Sequence, residues 1–136
     1  MALLDVNALV ALAWDAHVHH AAIGAWFDER TEPWATCPVS EAGFVRVSSN
    51  PKALPGALSV VQALAVLRDL RRVGKHRFLG NDVSLTDPDA PPIAGHRQVT
   101  DALLLMVARR AGVALVTFDA ALAELAGGDG VELLAR

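Results

Sequence analysis

An acidic residue interrupts an apolar segment near the start of the chain. Asp5 lies within ALLDVNALVAL (residues 2–12), where its neighbours are almost all aliphatic. Burying an unpaired carboxylate is strongly unfavourable, so such a group normally has a partner or becomes neutral through a raised pKa. The partner can be a base, a hydrogen-bond donor at the start of a helix, or a metal ion. Asp5 is therefore the first residue to which we assign a chemical role.

Three further carboxylates have a chemistry in common with Asp5 if the fold brings them together with it. They are Glu41, Asp101 and Asp119. Four anions in one place would repel one another, and their pKa values would rise unless a cation held them together. Hard oxygen ligands in this number are typical of Mg²⁺ or Mn²⁺, whereas zinc prefers Cys and His. Because a metal–carboxylate site of this kind activates water and neutralises charge on a phosphate, it predicts a nuclease.

Alternating strands and helices predict how the four carboxylates are positioned. Such alternation is typical of an α/β fold with a parallel sheet and helices on both faces. Ser40 and Thr100 are the predicted N-caps of two helices, and Gly74 and Gly112 are predicted to end two helices. The predicted strands are ALLDV, WATCPV, HRFLGND, VALVTF and GVELL, and the predicted helices are NALVALAW, HVHHAAIGAWFDER, SEAGFVRVSSNP, PGALSVVQALAVLRDLRRVG, VTDALLLMVARRAG and DAALAELA.

All four carboxylates fall where a predicted strand ends or a predicted helix begins. Sites in parallel α/β sheets form at this edge, so we expect the four to converge if their strands are neighbours. Ordinary capping is the competing explanation, because an acidic residue stabilises a helix N-terminus by roughly 0.3–1 kcal/mol. Taken alone, Glu41 and Asp119 fit capping. Asp101 fits it less well because Thr100 already offers a cap, and Asp5 fits it least because its neighbours are strand core.

Length and composition predict one well-buried domain. The chain has 136 residues, of which 53% are hydrophobic, and this composition argues against disorder. No signal peptide and no membrane-spanning segment are expected, because Asp5 interrupts the first apolar stretch and no uncharged run is long enough. Cys37 is the only cysteine, which excludes an intrachain disulfide and favours a cytoplasmic location. Its own expected role is that of a small buried hydrophobe.

The net charge of −3 is unevenly distributed along the chain. Residues 1–50 carry six acids and two bases, and residues 81–136 carry eight acids and four bases, so each part has a charge of −4. Residues 51–80 carry six bases and one acid, a charge of +5. A short basic cluster is usually a solvated helix face, but beside a metal-loaded site it would bind a phosphate backbone. The cluster consists of Arg68, Arg71, Arg72, Lys75 and Arg77.

The order and spacing of these segments resemble those of the PIN-domain ribonucleases, specifically the VapC-type toxins of prokaryotic toxin–antitoxin pairs. The resemblance implies one PIN domain over residues 1–136, with a Rossmann-like three-layer sandwich whose central sheet is mainly parallel. It also implies a metal-dependent endoribonuclease, a cognate antitoxin in the active-site groove, and a homodimer. The matching segments are LLDVNALVAL, HVHHAAIGAWF, CPVSEAGFVRVSSNP, GHRQVTDALLLMVARRAG and LVTFDAAL.

The resemblance also assigns roles to single residues. Two members of the family's acidic quartet, Asp5 and Asp101 in this chain, are the expected direct ligands of Mg²⁺ or Mn²⁺. The other two would bind through water, position a second ion or orient the attacking water. Asn7 and Thr117 match polar positions near the metal. Apart from the family match, Arg97 precedes Asp101 closely enough in sequence to touch RNA. In this chain the quartet is Asp5, Glu41, Asp101 and Asp119.

Other interpretations of the sequence have less support. His17, His19 and His20 suggest zinc, but their spacing does not place all three on one helix face, so packing or hydrogen bonding is expected instead. A metal-free ribonuclease would use histidines as acid and base, with His96 as a further member. A haloacid-dehalogenase-like phosphatase needs a second Asp two residues after Asp5, and a receiver domain needs a later Lys. The main rival is a non-catalytic module that binds RNA or protein, in which the acids act as caps.

Overall fold

The computed structural model describes residues 1–80 and 82–135 and has an α/β fold. Within these residues five strands form one sheet in which all neighbours are parallel, in the order β3-β2-β1-β4-β5. The strands are β1 (Ala2–Leu4), β2 (Trp34–Thr36), β3 (His76–Phe78), β4 (Ala114–Thr117) and β5 (Val131–Leu133). The α-helices are α1 (Val6–Ala13), α2 (His20–Asp28), α3 (Pro38–Ser48), α4 (Val60–Leu70), α5 (Val99–Ala111) and α6 (Ala120–Leu125).

The predicted parallel sheet is thereby confirmed. Asn81, in the predicted strand HRFLGND, and Arg136, at the end of the predicted domain, lie outside the described residues. None of the helices within residues 1–80 and 82–135 has the length and apolarity needed to cross a bilayer.

Strand β1 lies at the centre of the sheet, where the strand order reverses. The chain passes from β1 to β2 and β3 on one side, and then returns to place β4 and β5 on the other side. The carboxyl ends of β1 and β4 therefore flank a topological switch point, the usual position of a site in an open α/β sheet. Asp5 directly follows β1, and Asp119 lies two residues beyond the end of β4.

Alternate residues of the strands face two separate cores, as expected for a sheet covered on both faces. On one face, Leu3 and Leu115 pack in a cluster with residues of α5 and α6, including Leu104. On the other face, Leu4 and Trp34 pack in a cluster to which α1, α2, α3 and α4 contribute. Cys37 is fully buried in the first cluster, as predicted for a small hydrophobe.

Two predicted N-caps are wrong because each helix begins earlier than its first hydroxyl residue. Helix α3 begins at Pro38, whose fixed φ suits the first helical position. The Ser40 hydroxyl lies within this first turn and accepts a hydrogen bond from the Cys37 N–H at 2.9 Å. Helix α5 begins at Val99, after a 3-10 turn over His96–Gln98, so Thr100 lies inside the helix.

The fourth helix is shorter at both ends than the predicted segment 55–74. Ser59 caps it by accepting a hydrogen bond from the Gln62 N–H at 3.1 Å, and the Gln62 side chain accepts one from the Ser59 N–H at 2.9 Å. The helix ends at Leu70, and Gly74 lies in the following turn with φ of 58°. Gly112 ends α5 in the left-handed conformation with φ of 70°, as predicted.

A close contact between α1 and α3 fixes the positions of their first turns. Gly43 is buried in α3, and a methyl group in place of its hydrogen would collide with the Val6 side chain at the start of α1. Any larger residue at this position would push the two helices apart. The contact thus sets the separation between the helix starts that carry Asp5 and Glu41.

Candidate active site

Asp5 is held by a hydrogen bond to each oxygen of its carboxylate. The residue is 4% exposed and serves as the N-cap of α1. Its Oδ1 accepts a hydrogen bond from the Ala8 N–H at 2.7 Å, and its Oδ2 accepts one from the Thr117 hydroxyl at 2.5 Å. The donors are the helix start and a neighbouring strand end, so two elements together orient this carboxylate.

The pKa values of two aspartates show that negative charge is concentrated here. Burial raises the pKa of Asp5 to about 6, against the lowering effect of its bonds from Thr117 and Ala8, and the charges of Asp101 and Asp119 raise it further. Burial also raises the pKa of Asp101, and the charge of Asp119 adds to this rise. Since like charges must be close to act on one another, the fold has brought these three aspartates into one region.

Thr117, a predicted supporting residue, connects two of the acids. This fully buried threonine ends β4. Its hydroxyl donates to Asp5 and accepts a hydrogen bond from the Asp119 N–H at 2.9 Å. Asp119 in turn caps α6, since its Oδ1 accepts a hydrogen bond from the Ala121 N–H at 2.9 Å. Helix capping therefore explains one of the hydrogen bonds that orient the Asp5 carboxylate and the hydrogen bond that the Asp119 carboxylate accepts.

Capping does not explain Asp101. The N-cap of α5 is Gln98, which makes no side-chain cap hydrogen bond, and Asp101 lies further along, in the first turn of the helix. Asp101 is half-buried, and the negative charge of Asp119 acts on it. The ionised form of this residue is electrostatically costly here, and no helix cap offsets that cost; its role in metal binding stays a prediction.

Glu41 has different neighbours from the three aspartates. Its side chain is 16% exposed, and its Oε2 accepts a hydrogen bond from the Thr36 hydroxyl at 2.6 Å. The same oxygen lies 3.6 Å from Nη1 of Arg71. The Thr36 hydroxyl is also 2.8 Å from Nε2 of His76, so a protonated Nε2 would donate to Thr36. The pKa of His76 is lowered by burial first and by Arg71 second, while Glu41 acts in the opposite direction.

The predicted quartet is therefore divided into a group of three and a separate fourth member. Within residues 1–80 and 82–135, no three His, Cys, Asp or Glu side chains are arranged closely enough to hold a metal ion. The donor set nevertheless fits Mg²⁺ or Mn²⁺, because it consists of carboxylate oxygens, and among the described residues only acidic charges shift the pKa values of Asp5 and Asp101.

A pocket of about 430 Å³ adjoins this group of aspartates. Asn7, His17, His19, Phe118 and Asp119 are among its lining residues, so the predicted supporting residue Asn7 faces the same space as Asp119. The His19 ring stacks on Phe118 with centroids 4.1 Å apart, and Nδ1 of His17 accepts a hydrogen bond from the His19 N–H at 3.0 Å.

His20, the third histidine of this segment, is also hydrogen-bonded. Its Nδ1 lies 2.8 Å from the Ala11 carbonyl oxygen. All three histidines therefore pack or form hydrogen bonds, as expected from the sequence.

The predicted RNA-contacting residues are all exposed, and one of them touches the site. Arg68, Arg72, Lys75 and Arg77 are exposed around the end of α4 and the start of β3, and Arg97 is exposed in the 3-10 turn before α5. Arg71 contacts Glu41, and its Cζ atom also lies 4.9 Å from the centroid of the Phe78 ring.

Three residues near Glu41 were not predicted from the sequence: Thr36, His76 and Phe78. One signal was available: Thr36 and Thr117 both end a strand shortly before an acidic residue.

The fold and these carboxylates together define a class of protein. It is an α/β protein with a fully parallel sheet, in which acidic residues collect at the carboxyl ends of the strands around the switch point. The chain matches the PIN domain family over residues 2–128. It therefore belongs to the PIN-domain family, and its relatives place it among the VapC ribonucleases of that family.

Two of these relatives come from Mycobacterium tuberculosis. Ribonuclease VapC38 is 65% identical over 127 residues, which is 93% of this chain and 90% of that protein. Ribonuclease VapC39 is 44% identical over 137 residues, covering 98% of this chain and 99% of that protein.

One solved structure supports the fold independently. The crystal structure of Mycobacterium tuberculosis VapC20, described as a Sarcin-Ricin loop cleaving toxin, superimposes with a TM-score of 0.67 over 99% of this chain and 100% of that chain. At 14% identity the likeness concerns the fold alone.

Proposed function

We propose that the chain is a Mg²⁺- or Mn²⁺-dependent endoribonuclease that acts as the toxin of a toxin–antitoxin pair. The observation that carries the proposal is the meeting of Asp5, Asp101 and Asp119 at the switch point of the sheet, where burial and mutual repulsion raise the pKa of two of them. Apart from the helix caps that Asp5 and Asp119 provide, such a concentration of like charge does not stabilise the fold. A divalent cation would balance the charge, and relatives that carry the name ribonuclease indicate what the cation is used for.

Asp5 and Asp101 are the proposed direct ligands of the ion. Asp119 and Glu41 would act through water, position a second ion or orient the attacking water. A bound divalent ion lowers the pKa of its water and neutralises charge on the phosphate. In the proposed hydrolysis, the water oxygen bonds to phosphorus and the bond from phosphorus to the 3′ oxygen breaks. The 3′ oxygen takes up a proton, so that the products carry a 5′-phosphate and a 3′-hydroxyl.

The surrounding residues have supporting roles in this proposal. Thr117 holds the orientation of Asp5 through its hydroxyl, and burial of both residues keeps bulk water from screening the carboxylate. Asn7 offers a polar side chain to the pocket that it shares with Asp119. The exposed cations of residues 68–77, together with Arg97, would bind the phosphates of the RNA on either side of the cleaved bond.

The proposed partners are RNA and a cognate antitoxin that occupies the active-site groove. We also propose that residues 1–136 form one domain, that two copies associate, and that the protein acts in the cytoplasm without a membrane partner. Family membership supports the antitoxin and the homodimer. Light scattering of the pure protein, alone and after co-expression with the protein encoded beside it, tests both associations.

Cleavage of total RNA by the pure protein tests the activity. Reactions with Mg²⁺, Mn²⁺ or EDTA are compared for the unmodified protein, Asp5→Asn and Asp28→Asn, where Asp28 is an exposed residue at the end of α2 and serves as the matched control. We expect discrete fragments that require the metal, are lost in Asp5→Asn and persist in Asp28→Asn. Cleavage that survives EDTA would move the chemistry to the histidines. The absence of cleavage by folded protein would favour a binding module.

A further inference from the structure

An exposed aromatic ring lies beside the candidate site, on the edge of the sheet. Phe78 is the last residue of β3, the edge strand next to β2, and is 49% exposed. Edge strands normally avoid large exposed apolar side chains, because such side chains promote association with other chains. A ring in this place therefore needs an explanation other than the stability of the fold.

The surroundings of the ring are cationic. The Arg71 guanidinium lies 4.9 Å from its centroid, within the range of a cation–π contact. Four more exposed basic residues lie in the same ten-residue segment, in which Asp69 is the only acid. They are Arg68, Arg72, Lys75 and Arg77. An aromatic ring among cations is the combination that binds single-stranded nucleic acid, since the ring stacks with a base and the cations hold the backbone.

The ring is connected to the candidate site through the register of the sheet and through Arg71. In the sheet, Phe78 is the register partner of Thr36, whose hydroxyl donates to Glu41. Arg71 contacts both Glu41 and the Phe78 ring. Adjacent strands are about 4.8 Å apart, so Phe78 lies one strand spacing from the threonine that holds Glu41.

From this geometry we infer that Phe78 and Arg71 form a subsite that stacks one unpaired base of single-stranded RNA next to the cleaved phosphate. The inference rests on the proposed ribonuclease function. It adds a preference for unpaired RNA on the β3 side of the site, because a base inside a duplex cannot reach the face of the ring. The recognition depends little on base identity, since every base has an aromatic face.

Binding measured in EDTA separates this subsite from catalysis. Fluorescence anisotropy with a labelled short oligoadenylate, and with the same strand in a duplex, is compared for the unmodified protein, Phe78→Ala, Phe78→Trp and Leu133→Ala. Leu133 is the matched control: it is also 49% exposed and also ends an edge strand, β5, where it is the register partner of Thr117.

We expect Phe78→Ala to weaken single-strand binding about tenfold, the usual order of effect for losing one stacked base. Phe78→Trp should bind at least as tightly as the unmodified protein. Leu133→Ala should stay within about twofold of it, and duplex binding should change little in any variant. At protein concentrations that saturate the oligonucleotide in each case, a 2-aminopurine base should be quenched by the unmodified protein and not by Phe78→Ala, which separates a loss of stacking from a general loss of binding.

Three results would overturn the subsite. They are unchanged single-strand binding in Phe78→Ala, an equal loss in Leu133→Ala, or a change of oligomeric state in Phe78→Ala without a change in RNA binding. The last result would indicate that the β3 edge of the sheet is a contact between two copies of this chain. If the protein does not cleave RNA but Phe78→Ala still loses binding and quenching, the subsite stands and the nuclease fails. If the protein cleaves RNA and Phe78→Ala binds normally, the subsite alone fails.

Discussion

Two threonines at the carboxyl ends of parallel strands each hold one carboxylate, and the two pairs differ in their surroundings. Thr117 donates to Asp5, which is 4% exposed and whose second oxygen caps α1. Thr36 donates to Glu41, whose side chain is 16% exposed and lies beside Arg71. The first carboxylate has other acids as its charged neighbours and the second has a base. Within the part of the chain that the structure describes, the charges that act on Asp5 are therefore negative, whereas Glu41 has a cation beside it.

This difference changes the interpretation of the quartet. The carboxylate of Asp5 is oriented by one hydrogen bond to each of its oxygens. The ion pair between Glu41 and the exposed Arg71 contributes only about 0–1 kcal/mol, so water can readily replace Arg71 as the partner of Glu41. A metal ion would thus bind first at the Asp5 side.

The largest effect is expected from Asp101→Asn. RNA cleavage should fall by more than about a hundredfold, since even partners of metal ligands contribute 10–100-fold. The melting temperature should stay the same or rise, because the change relieves repulsion from Asp119. Cleavage assays and thermal unfolding in EDTA measure the two effects. A lower melting temperature with activity retained would return Asp101 to a structural role, with Asp28→Asn as the control.

The second largest effect is expected in the pH dependence of the free energy of unfolding, measured without metal. The pKa of Asp5 is about 6 in the folded protein and 3.8 for the ordinary group, so the folded state binds the proton more tightly. The free energy of unfolding should therefore fall as pH rises from about 4 to about 6, by at most about 3 kcal/mol from this residue. Asp101 acts in the same direction.

Urea unfolding at several pH values measures this slope. Asp5→Asn should flatten it, because the amide can still accept from Ala8 and does not titrate. Asp28→Asn should leave it unchanged. A slope of the opposite sign, or one that persists in Asp5→Asn, would contradict the concentration of negative charge around Asp5.

Only part of the contrast between the Thr117–Asp5 pair and the Thr36–Glu41 pair was predictable from the sequence. Alternating strands and helices placed Asp5, Asp101 and Asp119 at strand ends or helix starts, but their convergence depended on a strand order that the pattern did not predict. The neighbours of Glu41 depend on the register of β3 against β2, which joins residues about 40 positions apart. Weak patterning in the short strand His76–Phe78 did not fix that register.

Local errors had local causes. Pro38 moved the start of α3 ahead of Ser40, and the 3-10 turn moved the start of α5 ahead of Thr100. Glu41 and Asp101 nevertheless lie in the first turns of α3 and α5, because the small shift in each helix start leaves the acid in the same turn. The positions of the acids are thus less sensitive to helix boundaries than the identities of the caps.

Metal-induced stabilisation should distinguish the two sides of the site. At a Mg²⁺ or Mn²⁺ concentration about a hundredfold above Kd, the free energy of unfolding should rise by about 2.7 kcal/mol. Glu41→Gln should retain most of this rise, since Arg71 and Thr36 already occupy the Glu41 carboxylate, and Asp5→Asn should lose it. Thermal unfolding with increasing metal measures both. An equal loss in the two variants would show that Glu41 joins the first ion directly.

The smallest effects come from the two threonines, exchanged for the nearly isosteric valine. Thr117→Val leaves Asp5 Oδ2 and the Asp119 N–H without their partner in a buried place, so we expect a loss of about 2 kcal/mol. Thr36→Val should cost about 1 kcal/mol or less, because Glu41 keeps Arg71 and the partly exposed carboxylate can turn to water. Urea unfolding at pH 7 measures both changes. Equal losses would mean that neither the deeper burial of Asp5 nor its acidic surroundings changes what its threonine contributes, and the distinction between the two pairs would then rest on metal binding alone.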